Sequence, residues 1–309
     1  MFLESESMSF NKIFILGAGA IGSVYGALLS KRNDVTLVGN KKHVETVNSK
    51  GLTITGDINE TFHPRAETEI REIPEKTLII LTTKAYDSAA AVRGIKRLLR
   101  EDTAVLVLQN GLGNEDVVRQ VLGANTKVLR GITTMAAEFF EAGKIRFWNG
   151  ETTVEKSEHS ETIAKTFNQC GLKTKISDDI KRDVWNKLVV NCVINPLTAI
   201  LKVRNNQIIT DSLKPIRHEI IRECVEVGKA EGITFPDDLE ERIDKEASKY
   251  TNFSSMCQDV MKGKRTEIDF LNGKIVELGK KHGIQTKVNA VLVHLIKFLE
   301  GENGISRRN

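Results

Sequence analysis

Residues 12–30 read KIFILGAGAIGSVYGALLS, and this stretch decides the fold of the first half of the chain. Its first five residues, four of them apolar, predict a buried strand, and a helical pattern occupies the remainder after a glycine-rich turn. Gly17, Gly19 and Gly22 have the spacing GxGxxG. In this motif the first glycine permits a tight turn, the second lets a pyrophosphate approach the backbone, and the third allows close helix–strand packing. A second strand at 34–38 follows at βαβ distance, so a dinucleotide-binding loop is favoured over a tight turn without a ligand.

Strands and helices alternate through the rest of this half. Strands are predicted at 77–82, 103–108 and 126–130, with helices at 88–99 and 114–122, and later strands of the same half are predicted at 144–155 and 172–176. Such alternation is typical of a parallel sheet with helices on both faces. After residue 180 the strand pattern stops, and helices are predicted at 184–202, 213–231, 237–248, 255–263, 267–282 and 288–299. The sequence therefore predicts an α/β Rossmann-type dinucleotide-binding domain over residues 10–180 and an all-α helical domain over residues 181–309.

The residues after the second strand bear on the choice of cofactor. NAD-binding domains usually carry Asp or Glu about 20 residues past the glycine motif, where the carboxylate binds the ribose 2′-hydroxyl. This chain has Gly39-Asn40-Lys41-Lys42-His43 there and no acid. Lys41, Lys42 and His43 can accept a 2′-phosphate, which favours NADP. The alternative is that the two lysines only form the exposed first turn of a helix.

Two more loops follow predicted strands, Thr82-Thr83-Lys84-Ala85 and Gln109-Asn110-Gly111-Leu112-Gly113. Ligands of open α/β sheets bind outside the carboxyl ends of the strands, so both loops are candidates for a binding crevice. Each also has an ordinary structural explanation. Asn110-Gly111 is a common turn pair, and Lys84 could simply begin a helix.

Residues 184–200, VWNKLVVNCVINPLTAI, predict a largely buried helix with a polar row. Lys187, Asn191 and Asn195 recur every four residues and so share one face. A buried lysine beside two amides requires polar partners, which a bound substrate or a structural hydrogen-bond network could supply. Burial also lowers the pKa of a lysine, which suits proton donation near neutral pH. The helix alone leaves both explanations open.

Composition narrows the class of protein. The chain has 309 residues, enough for about two domains, and a net charge of +4 that is spread along the sequence. The short basic tracts lack interleaved aromatic residues, which argues against nucleic-acid binding. No apolar run is expected to be long enough to span a bilayer, and the polar N-terminus MFLESESMSFNK is expected to be a disordered lead-in rather than a signal peptide. The four cysteines show no metal-ligand spacing, so a reduced cytoplasmic protein without a metal is expected.

Five segments together resemble the ketopantoate reductase (2-dehydropantoate 2-reductase) family. They are GAGAIG (17–22), LTTKAYD (81–87), LQNGLGNED (108–116), WNKLVVNCVINPLTAI (185–200) and SSMCQDVMKGKRTEIDFLNG (254–273). They span nearly the whole chain in the family's order, and the last two are far more specific than the glycine motif. One departure concerns the cofactor: family members commonly carry Arg, which grips the 2′-phosphate, where this chain has Asn40. NADP is therefore expected, with NAD possible.

The resemblance implies roles for individual residues. Lys187 would donate a proton, Glu267 would assist at the cofactor and at Lys187, and Asn110 would lie between nicotinamide and substrate. The implied cofactor-binding residues are Gly17, Ala18, Gly19, Ala20, Ile21, Gly22, Asn40, Lys41, Lys84, Asn110, Ala137 and Glu267. The implied substrate-binding residues are Asn110, Lys187, Asn191, Asn195, Asn205 and Ser255.

Two of these residues also have a purely structural interpretation. The sequence Ser255-Met-Cys-Gln258 matches a capping box, and Thr266-Glu-Ile-Asp269 resembles one. Glu267 in a first helical turn would complement the helix dipole without any catalytic part. Capping and substrate contact can share a helix start, so both interpretations are kept.

The resemblance implies NADPH-dependent reduction of ketopantoate to pantoate, on the route to pantothenate and coenzyme A, by a monomer or homodimer. The small 2-oxo acid would lie in the cleft between the two halves of the chain, with the helical half as the substrate domain. Two alternatives stay open, a reductase of another branched 2-oxo acid and a non-catalytic dinucleotide-sensing protein. Fold alone does not separate these.

Overall fold

Strand β1, Lys12–Leu16, is buried along its whole length and lies inside an eight-stranded sheet. The computed structural model describes residues 9–305, with side chains to residue 301, so most of the predicted N-terminal lead-in lies outside the described residues. The other strands are β2 (Val35–Val38), β3 (Leu52–Gly56), β4 (Glu60–Phe62), β5 (Arg65–Glu67), β6 (Thr77–Leu81), β7 (Ala104–Val107), β8 (Lys127–Thr133), β9 (Ala136–Glu141), β10 (Lys144–Trp148), β11 (Thr152–Glu155) and β12 (Thr174–Ser177).

In the described part of the chain, five α-helices accompany these strands and six more follow them. The first five are α1 (Ala20–Leu29), α2 (Lys41–Lys50), α3 (Ser88–Ile95), α4 (Asn114–Leu122) and α5 (Ser160–Asn168). The last six are α6 (Ile180–Leu201), α7 (Lys214–Ala230), α8 (Leu239–Ala247), α9 (Ser255–Met261), α10 (Asn272–His282) and α11 (Lys287–Ile305). The predicted fold class, a Rossmann-type α/β half followed by a helical half, is confirmed.

The large sheet has the strand order β12-β11-β8-β7-β6-β1-β2-β5. Its central strands are parallel and fully buried, because helices and loops cover both faces. Strand β11 runs antiparallel to β8. One face packs around Tyr25 and Phe167, and the other around Val92 and Val118. The carboxyl ends of β1, β6 and β7 therefore lie at one edge, where the glycine loop and the two following loops begin.

The second sheet was not predicted. It has the order β4-β3-β10-β9, and it splits the predicted strand 144–155 between two sheets, with β10 in the small sheet and β11 in the large one. Residues 149–151 separate them, and a side chain at Gly150 would overlap the backbone of Met135. Strands β4 and β9 are short or half-exposed, so their sequences lack the continuous apolar run that identified the central strands.

The chain divides into two compact units. The first runs to Gln109 and resumes from Gly113 to Ile180, and the second comprises Asn110–Leu112 and the residues from Lys181 onward. The second unit packs around α6, from Trp185 to Ala199. The helix predicted at 267–282 is shorter than expected, because Ile268–Phe270 form a 3-10 turn and α10 begins only at Asn272.

Helix α6 corrects one expectation from the sequence. Among the described residues it is the one helix that is long and apolar enough, by length and composition, to cross a membrane. In its most apolar window 67% of the residues are buried inside the protein, as is normal for a core helix. The expectation that no apolar run reaches this length is therefore wrong, because the scattered polar residues do not lower the mean hydropathy enough.

Candidate active site

In the glycine loop of the first unit, two glycines are required because a side chain at either position would overlap neighbouring protein atoms. Gly17 has a φ of +114°, and a Cβ atom there would overlap the backbone of Thr83. A Cβ atom at Gly22 would overlap the carbonyl oxygen of Gly17. At Gly19, in contrast, a Cβ atom would meet nothing closer than 4.0 Å beyond its chain neighbours. The missing side chain leaves room beside the first turn of α1, whose N–H groups have no acceptor within the helix.

The remaining loop residues tie this turn to the sheet. The N–H of Ala18 donates to the carbonyl of Val38 at 2.8 Å, which joins the loop to the end of β2. Ala20 and Ile21 are the first two residues of α1. The geometry fits a pyrophosphate held by backbone groups, because neither α1 nor the loop offers a side-chain cap in that place.

The segment after β2 corrects the interpretation of His43. Its ring is fully buried, its Nδ1 accepts from the N–H of Gly143 at 3.1 Å, and its Nε2 lies 3.1 Å from Ser23 Oγ. Since Nδ1 accepts, Nε2 carries the hydrogen and the ring is neutral. Burial also lowers the pKa of His43. His43 is therefore not available as a cation for a phosphate.

Asn40, Lys41 and Lys42 are differently placed. Asn40 is the N-cap of α2, and its Oδ1 accepts from the N–H of His43 at 3.0 Å. Lys41 is 83% exposed in its side chain and lies 3.9 Å from Glu45, and Lys42 is exposed. Both lysines thus occupy the exposed first turn of α2, which is compatible with either interpretation of the pair.

Two side chains that the sequence did not single out brace the other loops of the first unit. Gln109 Nε2 donates to the carbonyl and hydroxyl oxygens of Thr83, both at 2.9 Å, and to Ser88 Oγ at 2.7 Å. Arg130, 2% exposed, donates to the carbonyls of Val107 and Gln109. Burial lowers the pKa of Arg130. The available sequence signal was an arginine at the end of the predicted strand 126–130, but its burial in the middle of β8 follows only once the partner strands are known.

The other two cofactor candidates of the first unit, Lys84 and Ala137, belong to different elements of the fold. Lys84 lies three residues after the end of β6 and directly precedes a 3-10 turn at Ala85–Asp87. Ala137 lies on β9 of the small sheet, where it pairs with Phe147.

In the second unit, the side chains of Lys187 and Asn110 form a hydrogen bond. Lys187 Nζ donates to Asn110 Oδ1 at 2.8 Å, across 77 positions of sequence. The Asn110 segment is held by the turn before α10, since the N–H of Leu112 donates to the carbonyl of Phe270 at 3.3 Å. Gly111 has a φ of +91°, and a side chain there would overlap that carbonyl. The side chain of Lys187 is half-buried rather than fully buried as predicted.

Two asparagines of the second unit are incompletely paired. Asn191 Nδ2 and Asn205 Oδ1 are buried and have no hydrogen-bond partner in the described part of the chain. Asn195 is 6% exposed and Asn205 is 7% exposed. These unused polar atoms are available to a ligand, and the structural explanation of the polar row also stays open.

The predicted capping boxes are displaced. The N-cap of α9 is Ser254, whose Oγ accepts from the N–H of Cys257 at 3.1 Å, so Ser255 is the first helical residue. Ser254 Oγ also lies 2.7 Å from Thr198 Oγ1 on α6. Thr266 Oγ1 accepts from the N–H of Ile268 at 3.2 Å. Glu267 precedes a single 3-10 turn and is 7% exposed, so a helix-dipole role is not its main explanation.

All four cysteines are free and buried. Burial raises the pKa of Cys170 and Cys192, and it raises the pKa of Cys257 to about 11. Thiols of this kind stay protonated near neutral pH, so they are not candidate nucleophiles.

Two family models match almost the entire chain. Ketopantoate reductase PanE/ApbA matches residues 13–161, and the ketopantoate reductase PanE/ApbA C-terminal model matches residues 179–300. The chain belongs to the ketopantoate reductase family.

Similar proteins agree with this membership. A 2-dehydropantoate 2-reductase of Pyrococcus horikoshii is 39% identical over 306 residues, which cover 96% of this chain and 100% of the relative. A PanE/ApbA family ketopantoate reductase structure from Ralstonia eutropha is 30% identical, with a TM-score of 0.88, 95% of this chain covered and 99% of that one. D-mandelate dehydrogenase, solved with NADH and anilino(oxo)acetate, is 27% identical, with a TM-score of 0.86 and the same coverage.

Proposed function

We propose that this ketopantoate reductase family member reduces ketopantoate to pantoate with NADPH, as a step toward pantothenate and coenzyme A. The observation that carries the proposal is the Lys187–Asn110 hydrogen bond in the second unit, beside amides with unused polar atoms. The proposed domains are residues 10–180 for the dinucleotide and residues 181–309 for the substrate.

The row along α6 suits a 2-oxo acid. Such a substrate carries a ketone oxygen and a carboxylate, both hydrogen-bond acceptors. Lys187 Nζ supplies charged donors, and Asn191 Nδ2 is a buried donor without another partner in the described part of the chain. Asn195, Asn205 and Ser255 offer further polar groups in the same unit. These groups would fix the orientation of the ketone relative to the incoming hydride.

Lys187 is the proposed general acid. Its Nζ would hydrogen-bond the C2 oxygen and transfer a proton to it as negative charge develops there. Asn110 Oδ1 accepts a hydrogen bond from Nζ and so helps to orient the ammonium group. Glu267, buried in the same unit, is proposed to assist Lys187 and the cofactor.

The glycine loop would hold the dinucleotide. The backbone from Gly17 to Gly22 would receive the pyrophosphate, and Lys41 and Lys42 would face the 2′-phosphate, while Lys84, Ala137 and Asn110 would line the remainder. The reduced nicotinamide supplies the hydride when bound. Because His43 is neutral and Asn40 replaces the usual arginine, the proposed preference for NADPH is moderate rather than absolute.

A second candidate is the reduction of a different 2-oxo acid with NADH. The D-mandelate dehydrogenase structure, with NADH and anilino(oxo)acetate, supports it, as does Asn40. The decisive experiment is a spectrophotometric screen of ketopantoate, benzoylformate, pyruvate and oxaloacetate with each cofactor. The proposal expects the highest kcat/KM for ketopantoate with NADPH. Faster turnover of benzoylformate would favour the second candidate, and no turnover of any acid would favour a dinucleotide sensor.

A further inference from the structure

Helix α6 contains a proline in its interior, Pro196. Proline has no N–H, so the carbonyl of Cys192, four residues earlier, lacks its helical hydrogen-bond partner. Cys192 is fully buried, and an unpaired carbonyl in such a place is unfavourable unless another donor reaches it. The interruption lies among the proposed site residues, because Lys187 and Asn191 precede Cys192 and Asn195 follows it.

The missing donor comes from another helix. Asn272, the first residue of α10, is fully buried, and its Nδ2 donates to the Cys192 carbonyl at 3.0 Å. The same Nδ2 donates to Asn289 Oδ1 at 2.9 Å. Both hydrogens of the Asn272 amide are therefore used, one of them to replace the bond that Pro196 cannot make.

Glu223, a carboxylate on α7 that is 1% exposed, determines the orientation of the Asn289 and Asn272 side-chain amides. A carboxylate only accepts, so the Nδ2 of Asn289, at 2.7 Å, must face it. Asn289 Oδ1 then faces Asn272, whose Nδ2 must turn toward that oxygen and toward the Cys192 carbonyl. Glu223 also accepts from the N–H groups of Val288 and Asn289, at 2.9 and 3.0 Å, which fixes it at the start of α11.

We propose that Asn272 is a positioning residue for the reaction. Oriented by Asn289 and Glu223, it replaces the helical bond lost at Pro196 and keeps Lys187, Asn191 and Asn195 in one reactive alignment. This inference rests on the proposed function of α6. Pro196 and Asn272 then form a matched pair: Pro196 removes the helical donor to the Cys192 carbonyl, and Asn272 supplies the donor that replaces it.

The test is a double-mutant cycle on Asn272 and Pro196. We expect Asn272→Ala to lower kcat for the best 2-oxo acid by about tenfold, the scale of a small misplacement of reacting groups. The KM for the dinucleotide should stay within about twofold, since the glycine loop is untouched. Pro196→Ala restores an N–H for the Cys192 carbonyl. In the Pro196→Ala background, Asn272→Ala should therefore lower kcat by only about threefold or less.

The control is Ile275→Val, a conservative change at a fully buried position of α10 that leaves the Asn272 bond intact. It should lower the thermal midpoint slightly and leave kcat near wild type. If Asn272→Ala keeps the kcat of this control, or loses as much activity in the Pro196→Ala background as in the wild type, the inference is wrong. Should Asn272→Ala fail to fold, the double variant replaces it, and its kcat must then match that of Pro196→Ala within about threefold.

Amide hydrogen exchange separates this inference from the proposed function. If the wild type reduces no 2-oxo acid, the proposed function fails, yet α6 can still be examined. Asn272→Ala should then accelerate exchange in α6 around Cys192, and Pro196→Ala should reverse much of that change. Unchanged exchange in the single variant would overturn the positioning role even for a protein without reductase activity.

Discussion

Lys187 and Asn110 show which contacts of single residues can be predicted from the sequence and which require the fold. The spacing of Lys187, Asn191 and Asn195 predicts one polar face, but only the fold brings Asn110 within 2.8 Å of Lys187. His43 follows two lysines, and its sequence position makes it a candidate partner for a 2′-phosphate. Its burial against Gly143, a hundred positions later, makes it neutral, and no local pattern contains that contact. Asn272 lies within one of the family motifs, but the sequence does not show its partner, the Cys192 carbonyl.

Replacement of Lys187 by Ala should reduce kcat by about 10²-fold or more, because a general acid contributes on that scale. Folding should survive, since Lys187 is only half-buried. The matched control is Lys181→Ala on the same helix, an exposed lysine that donates to the Glu231 carbonyl. Steady-state kinetics and a thermal melt of both variants are the measurements. Full activity of the Lys187 variant would restore the structural-ladder interpretation.

Asn40, Lys41 and Lys42 should control cofactor preference. Asn40→Asp keeps a side-chain acceptor for the α2 cap but adds a negative charge, so it should shift kcat/KM toward NADH. Replacing Lys41 and Lys42 together by Ala should raise the KM for NADPH by roughly tenfold, the scale of a charge-assisted contact, and barely change that for NADH. Glu45→Gln, which removes the partner of Lys41, serves as the control. If the ratio of kcat/KM for NADPH to kcat/KM for NADH is unchanged in the lysine variant, Lys41 and Lys42 do not bind the 2′-phosphate.

At the scale of elements, prediction succeeded where the sequence reports burial directly. The central strands are continuous apolar runs, and helix α4 was predicted with its observed bounds, Asn114–Leu122. Prediction failed for strands such as β4 and β9, whose side chains are half-exposed and whose pairing depends on distant partners. The start of α9 was predicted at Ser255, as observed, but its N-cap was misplaced by one residue, because two serines are adjacent and only the fold selects Ser254 as the cap.

The glycine loop should respond differently at two glycines. Gly22→Ala should destabilise the first unit, because a methyl group there overlaps the Gly17 carbonyl. Gly19→Ala should leave the thermal midpoint nearly unchanged, since the methyl group meets no protein atom within 4.0 Å beyond its chain neighbours. It should nevertheless raise the dissociation constant of the dinucleotide at least tenfold, on the order of 1.4 kcal/mol. Equal dinucleotide affinity in the Gly19 variant would contradict the pyrophosphate assignment.

The two adjacent serines at α9 offer a matched pair. Ser254→Ala removes the N-cap and a contact to Thr198, so it should lower the free energy of unfolding by about 1–2 kcal/mol. Ser255→Ala removes no hydrogen bond recorded within the described chain. It should leave stability within about 0.5 kcal/mol and raise the KM for the 2-oxo acid. Denaturant melts and steady-state kinetics of both variants check this, and the reverse pattern would exchange their roles.

At the scale of the whole molecule, stability should depend on carboxylates in both units. The pKa of Glu151 is lowered by its hydrogen bonds to Lys173 and Lys175, and that of Glu231 by His282 and Lys281. A carboxylate with a lowered folded-state pKa stabilises the protein above its unfolded value, near 4.5, and loses that contribution as the pH falls through the folded value.

The thermal midpoint should therefore be highest above about pH 5.5 and fall steeply below about pH 4.5. Glu231→Gln should lower the midpoint at pH 7 and flatten its decline in acid, because the lost interaction no longer titrates. Glu161→Gln, at an exposed position of α5, is the control and should follow the wild-type curve. A Glu231 variant whose curve runs parallel to wild type would rule out this linkage.

The division of the chain, in which Asn110–Leu112 interrupts the first unit, affects how the protein folds during translation. The segment Asn110–Leu112 leaves the ribosome early, but its contacts, Lys187 and the Phe270 carbonyl, are translated much later. A nascent chain can complete the glycine loop and the buried strands while this short segment still lacks its support. The Asn110 amide therefore takes its final place only after Phe270 has been translated. A chain released prematurely before Phe270 would carry Lys187 and Asn110 yet lack the backbone that holds them together.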